Sequence, residues 1–159
     1  MDYAHRVKIL KPHGSLDWYE VKGRPVRCPY NIDIPPLIVV PGDTKYRSGY
    51  KEPFDAHREC ANQDIDNAKR YLILGYGFND DHLQTHLTRN LREGKPALIV
   101  TREPSESTKN LIENCPNIMA LFSNKSKEDN SIFRDVDGCM YTINGNLWDL
   151  ETLAREVFI

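Results

Sequence analysis

The eight residues Lys11–Trp18, KPHGSLDW, bring a histidine, a glycine, a serine and an acid to one corner, directly after the apolar run Val7–Leu10. An imidazole with a reference pKa of about 6.5 suits general-base work near neutral pH, which makes His13 the first candidate for catalysis. Judged alone, a histidine before Gly-Ser at a strand end is more often a structural, hydrogen-bonding residue. Ser15 is a weaker candidate, as a nucleophile. It lies two residues from His13, a separation that seldom gives triad geometry, and its surroundings are not G-x-S-x-G.

The second candidate is the turn GYGFNDDHL, Gly75–Leu83. Gly75 and Gly77 allow close approach of a ligand to the backbone and positive φ angles, and Asn79 or Asp80 can cap the helix that follows. Free backbone N–H groups there could hold a phosphate, but Asp80 and Asp81 already place negative charge on that helix end. Ribose or amide recognition is therefore easier to defend than pyrophosphate binding, and a plain capped turn is the bland alternative. His82 and His86, four apart on one helix face, could share a metal ion. No third ligand at motif spacing accompanies them, so a solvated helix face is the simpler expectation. Cys28, Cys60, Cys115 and Cys139 form no CxxC pair, which favours reduced structural thiols over a zinc site.

These residues need elements to position them. Five short apolar runs read as strands buried on both faces: Val7–Leu10, Leu37–Val40, Tyr71–Leu74, Ala97–Val100 and Ile118–Leu121. Between the later runs lie helical periods. Leu83, Leu87 and Leu91 share one face of Asp81–Glu93, with Gly94 as its stop. Ser105–Asn114 and Asp149–Phe158 are further helices. From Tyr71 onward the alternation predicts βαβ units of an open, mainly parallel, Rossmann-like α/β sheet. Lys11–Pro53 differs, with seven of the ten prolines, and reads as a turn-rich excursion. Asn124–Asn130 reads as a loop. Ligands of open α/β sheets bind beyond the carboxyl ends of the strands, so His13-Gly14-Ser15, Gly75–Phe78 and Thr101-Arg102-Glu103 are expected to face one crevice.

A chain of 159 residues fits one domain. With 21 basic and 23 acidic residues and a net charge of -2, it offers no electrostatic footprint for nucleic acid or an anionic membrane. No apolar run approaches the ~20 residues of a membrane span, and no basic leader with an apolar core is readable, so a cytoplasmic protein is expected.

Four blocks in this order, KPHGSLDW, LIVVPGDTKY, LILGYGFNDDHL and PALIVTRE, resemble the prokaryotic sirtuin-like (silent information regulator two-like) domains. The similarity runs well over residues 6–103 and loosely over the remainder. It implies a Rossmann-type fold that binds NAD and breaks its nicotinamide–ribose bond. His13 would act as the base toward a ribose hydroxyl, with Gly14 and Ser15 beside the ligand. Gly75, Tyr76 and Gly77 would correspond to the turn that contacts ribose and phosphate, and Thr101 and Arg102 to the strand end that holds the adenosine ribose, where the usual asparagine is replaced. Deacylating sirtuins carry a cysteine-rich zinc module after the histidine motif, and nothing of that kind stands between Trp18 and Leu37. That shifts the expected activity toward NAD hydrolysis without zinc, as in sirtuin-like domains of bacterial antiviral defence. The resemblance also leads one to expect a strand, a glycine-rich pyrophosphate loop and helices before the histidine motif. Their absence predicts a carboxyl-terminal portion of the domain, which is a fragment, is completed by another chain or by self-association, or has rearranged. A non-catalytic module for NAD or ADP-ribose, or a scaffold, is the alternative.

Overall fold

The computed structural model describes residues 7–39, 52–79, 81–127 and 129–158, which divide into two compact units, Met1–Asp64 and Ile65–Ile159. In the first unit, β1 (Gly14–Val21) pairs antiparallel with β2 (Arg24–Arg27) and β3 (Pro36–Ile38), in the order β2-β1-β3. Lys22 and Gly23, at φ 52° and 72°, close the β1–β2 hairpin, because two consecutive positive φ angles match the right-handed twist of the flanking strands. Pro25 and Pro36 lack the N–H of an inner strand, and both sit on edges. The proline-rich excursion is thus a small sheet, in which Tyr19 and Val39 are buried together with Phe54.

The run Val7–Leu10, expected as the first strand, is not one. It has no regular hydrogen bonding, and Val7 and Ile9 are 88% and 71% exposed. An apolar run becomes a strand only where another strand meets it, and the ladder here belongs to Gly14–Val21. Helix α1 (Phe54–Asn67) was not anticipated. It buries only Phe54, so the apolar stripe that would announce it is missing; Pro53 just before it and Asp55 in its first turn are its start signals.

The second unit carries a five-stranded sheet, β4 (Tyr71–Leu74), β5 (Ala97–Val100), β6 (Ile118–Ser123), β7 (Asn130–Arg134) and β8 (Met140–Asn144), ordered as numbered. β4, β5 and β6 are parallel; β7 and β8 continue the sheet antiparallel. The sheet is therefore mixed: the expected parallel strands are extended by an antiparallel pair. The cause is a hairpin turned by Asp135, whose carboxylate accepts the N–H groups of Asp137 and Cys139 at 3.0 and 2.8 Å, with Gly138 at φ 84°. The loop expected at Asn124–Asn130 is shorter by one residue, since Asn130 opens β7. The whole is compatible with an incomplete Rossmann-like fold.

Helices α2 (Asp81–Arg92) and α3 (Glu106–Asn114) follow β4 and β5 as expected. Leu87 and Leu91 enter the core with Ile73, Phe78, Ile99, Leu111, Ile112 and Ile118; the side chain of Leu83 lies outside the described residues, as do Val40, Asp80 and the side chain of His82. Gly94 stops α2 at φ 99°, and its N–H bonds to the Leu91 carbonyl. Side chains alternate across the strands, so Val100 and Leu121 face the other way, where Leu153 of α4 (Leu150–Leu153) covers them. A π-helical turn, Ala154–Phe158, extends α4. Leu72 and Leu74 share the Val100 face through the β4–β5 register, yet remain 51% and 42% exposed.

Candidate functional site

The carboxyl ends of β4, β5 and β6 are stitched to one another by hydrogen bonds. Gly75 leaves β4 at φ 62° with its N–H on the Val100 carbonyl at 2.9 Å. The Tyr76 and Phe78 rings meet edge to face at 5.0 Å, and Phe78 is buried. Ser105 holds this turn: its hydroxyl donates to the Gly77 carbonyl at 2.6 Å and, as N-cap of α3, accepts the Thr108 N–H at 3.1 Å. A side chain at Gly75 would meet no atom within 4 Å, so the backbone there borders open space. At the end of β5, the Thr101 N–H bonds to the Leu121 carbonyl and the Arg102 carbonyl accepts both the N–H and the hydroxyl of Ser123.

Beyond β5 and β6 lies a recess of about 590 Å³ lined by Arg102, Glu103, Ser123, Lys125, Asn146 and Trp148, among others. Lys125 donates to Glu103 and holds that carboxyl below its usual range. The Arg102 guanidinium lies over the Trp148 ring, 5.5 Å from its centre. Asn146 Oδ1 and Trp148 Nε1 are buried without a hydrogen-bond partner. Sequence reasoning missed both residues, which arrive from the β8–α4 loop; only the hairpin, invisible as a periodic pattern, brings them here.

His13, Gly14 and Ser15 belong to the first unit. The His13 carbonyl accepts the Val39 N–H at 2.9 Å, and its side chain is half-buried. Gly14, at φ 87°, is required by the fold itself, because a Cβ would stand 2.1 Å from the Leu37 carbonyl oxygen and 2.7 Å from the Phe54 ring. The Ser15 hydroxyl donates to the Asp17 carboxylate and accepts from Lys11 Nζ at 2.6 Å. Asp17 also receives Arg27 Nε at 2.6 Å. The Ser15 hydrogen bond, with that from Arg27, holds the Asp17 carboxyl far below the usual carboxylate range. A serine whose hydrogen goes to a carboxylate of such low basicity and whose oxygen accepts from an ammonium is poorly activated for attack, and Ser15 shapes the corner.

His86 is engaged with an acid. Its Nδ1 lies 2.8 Å from Asp66 Oδ2, while Arg89 and Asn90 donate to Asp66 Oδ1 at 2.7 and 3.0 Å. Against desolvation, these hydrogen bonds hold the Asp66 carboxyl at about 2. Lys95 Nζ donates to the Asp66 carbonyl at 2.5 Å and Asn90 to that of Ile65, so the cluster closes the end of α1 onto α2. Among the described residues, no three His, Cys, Asp or Glu side chains gather closely enough for a metal ion.

A family model described as a SIR2-like domain matches residues 2–121. No curated protein and no solved structure is significantly similar to the chain.

Proposed function

Because the chain belongs to the SIR2-like domain family, whose members use NAD, we propose that it binds NAD and hydrolyses the nicotinamide–ribose bond. The observation that carries this reading is the match itself. It spans both units and contains His13, Gly75–Gly77 and Thr101-Arg102 in one ordered run, which supports treating the two units as parts of one domain. On this reading His13 accepts the proton of a ribose hydroxyl or of the attacking water. Gly14 and Ser15 flank it, Gly75, Tyr76 and Gly77 hold the ribose and phosphate, with exposed backbone at Gly75, and Thr101 and Arg102 meet the adenosine ribose. Water adds at the anomeric carbon, the glycosidic pair of electrons leaves with nicotinamide, and the products are ADP-ribose, nicotinamide and a proton. The open space before Gly75 fits a ligand carried by backbone contacts. Hydrolysis is favoured over protein deacylation because the segment after the histidine motif is a three-stranded sheet with Cys28 as its one cysteine. A place in antiviral defence follows from the same resemblance.

Among the described residues β4 is the end strand of its sheet, with Leu72 and Leu74 exposed beside it, which supports completion of the sheet by a further strand, from another chain or a second copy. Without that strand a module that binds NAD or ADP-ribose and does not cleave it is the reading that the open edge favours. Incubation with NAD while following nicotinamide release separates the two. Activity that is lost in His13→Ala supports hydrolysis; equal release by His13→Ala and the parent removes His13 from the role of base.

A further inference from the structure

Among the described residues β8 ends the sheet on the side opposite β4. The Asp135 N–H bonds to the Cys139 carbonyl at 3.1 Å, and the Gly145 N–H to the Asp129 carbonyl at 2.8 Å. Between these two bonds the register runs from Arg134↔Met140 to Asn130↔Asn144, so the alternation of an antiparallel ladder turns the odd-numbered residues of β8 toward β7. The backbone N–H and C=O groups of Met140, Thr142 and Asn144 therefore point away from β7, along the rim of the sheet. Side chains do not cover this rim: Met140 is 60% exposed, and Tyr141, Thr142 and Asn144 are exposed too. Edge strands are ordinarily guarded against pairing by a lysine, a proline or a bulge. The sequence of β8, MYTIN, has no charge and no proline, and its register with β7 is unbroken.

We propose that β8 pairs antiparallel with β8 of a second copy of this chain, about a two-fold axis at Thr142. The strand is complementary to itself. Centring the pair on Thr142 sets Thr142 opposite Thr142 of the other copy, Tyr141 opposite Ile143 and Met140 opposite Asn144. Thr–Thr and aromatic–β-branched pairs are favourable across strands, and no like charges meet. The unused N–H and C=O groups of Met140, Thr142 and Asn144 then bond to one another. Phe133, the cross-strand neighbour of Tyr141 with ring centres 6.3 Å apart, packs on the cluster of Val100, Leu121 and Leu153, so the Tyr141–Ile143 pairs carry that apolar face across the junction. A contact of this kind closes at two copies, whereas β8 laid on β4 of the next copy would grow without closing. Both β7 and β8 lie beyond residues 2–121, and the proposal does not rest on the nucleotide reading.

The Leu74→Lys chain, whose β4 edge carries a charge, isolates the β8 edge. Its mass by light scattering is expected to rise with concentration to twice 18.4 kDa. Adding Thr142→Lys, which sets two ammonium groups opposite each other, or Thr142→Pro, which removes an N–H that β7 does not use, is expected to hold it at the monomer mass. An unchanged circular dichroism spectrum identifies the folded variants. A Leu74→Lys chain that stays monomeric at every concentration, or a dimer that survives either folded Thr142 variant, overturns the proposal. Cysteines read the register. With Cys139 changed to Ser, Thr142→Cys is expected to give disulfide-linked dimers under oxidised glutathione, because Cα atoms about 5.5 Å apart allow the bond. Met140→Cys, which faces Asn144, is not. Equal crosslinking of the two variants overturns the axis at Thr142.

Discussion

Gly14 and Gly75 look alike in sequence, each a glycine where an apolar or turn segment changes direction, yet the structure separates them. At Gly14 a Cβ would collide with the Leu37 backbone, whereas at Gly75 it would meet nothing within 4 Å. Both have positive φ, which costs a non-glycine residue roughly 1–2 kcal/mol. Gly75→Ala is therefore expected to lower stability by about that amount and to leave the fold intact. Gly14→Ala must also move β3 or Phe54, and thermal melts should rank it as much the more destabilising of the two. Reduced NAD binding in a folded Gly75→Ala protein would support backbone contact at this turn; undiminished binding would count against it. His13 was singled out in the sequence by its reference pKa and its neighbours, and its chemistry rests on the family match. Ser15 could be weighed by spacing alone, but its engagement with Asp17 and Lys11 needed the β1–β2 hairpin that brings Arg27 to Asp17.

At the scale of elements, helices with an apolar stripe were legible and those without one were not. α2 and α3 follow from Leu87, Leu91, Leu111 and Ile112, all buried. α1 has no stripe, and it is held at its end by Asp66, whose partners come from α2. The Asp66 carboxyl is depressed to about 2 from 3.8. A depressed acid contributes stability that is present above the unfolded pKa and lost as pH falls through the folded one. Asp66→Asn is thus expected to flatten the fall in stability between about pH 4 and pH 2, read by acid titration of helical circular dichroism; an unchanged acid profile would show that the cluster does not matter to folding. Ser105→Ala removes both the α3 cap and the bond to Gly77. Its expected cost is about 1–2 kcal/mol in denaturant unfolding, together with a looser Gly75–Gly77 turn.

At the scale of the whole molecule, β4 is the consequential strand. Among the described residues it ends the sheet, and its Leu72 and Leu74 stay exposed on the face where Leu153 of α4 packs with Val100 and Leu121. Parallel strands are ordinarily covered on both faces, and an open apolar edge invites pairing. Light scattering on the purified chain is expected to report a mass above that of the 18.4 kDa monomer, and Leu74→Lys is expected to shift it toward the monomer. A monomeric parent would argue that β4 needs no partner. The sequence by itself determined the alternation from Tyr71 onward, the stop at Gly94 and the family, because these depend on contacts within a few residues or on ordered motifs. Only the tertiary structure decided that Val7–Leu10 is not a strand, that β7 and β8 extend the sheet, and that Trp148 meets Arg102. Strand pairing and long-range contact depend on which distant segment supplies the hydrogen bond or the ring, and no local pattern carries that choice.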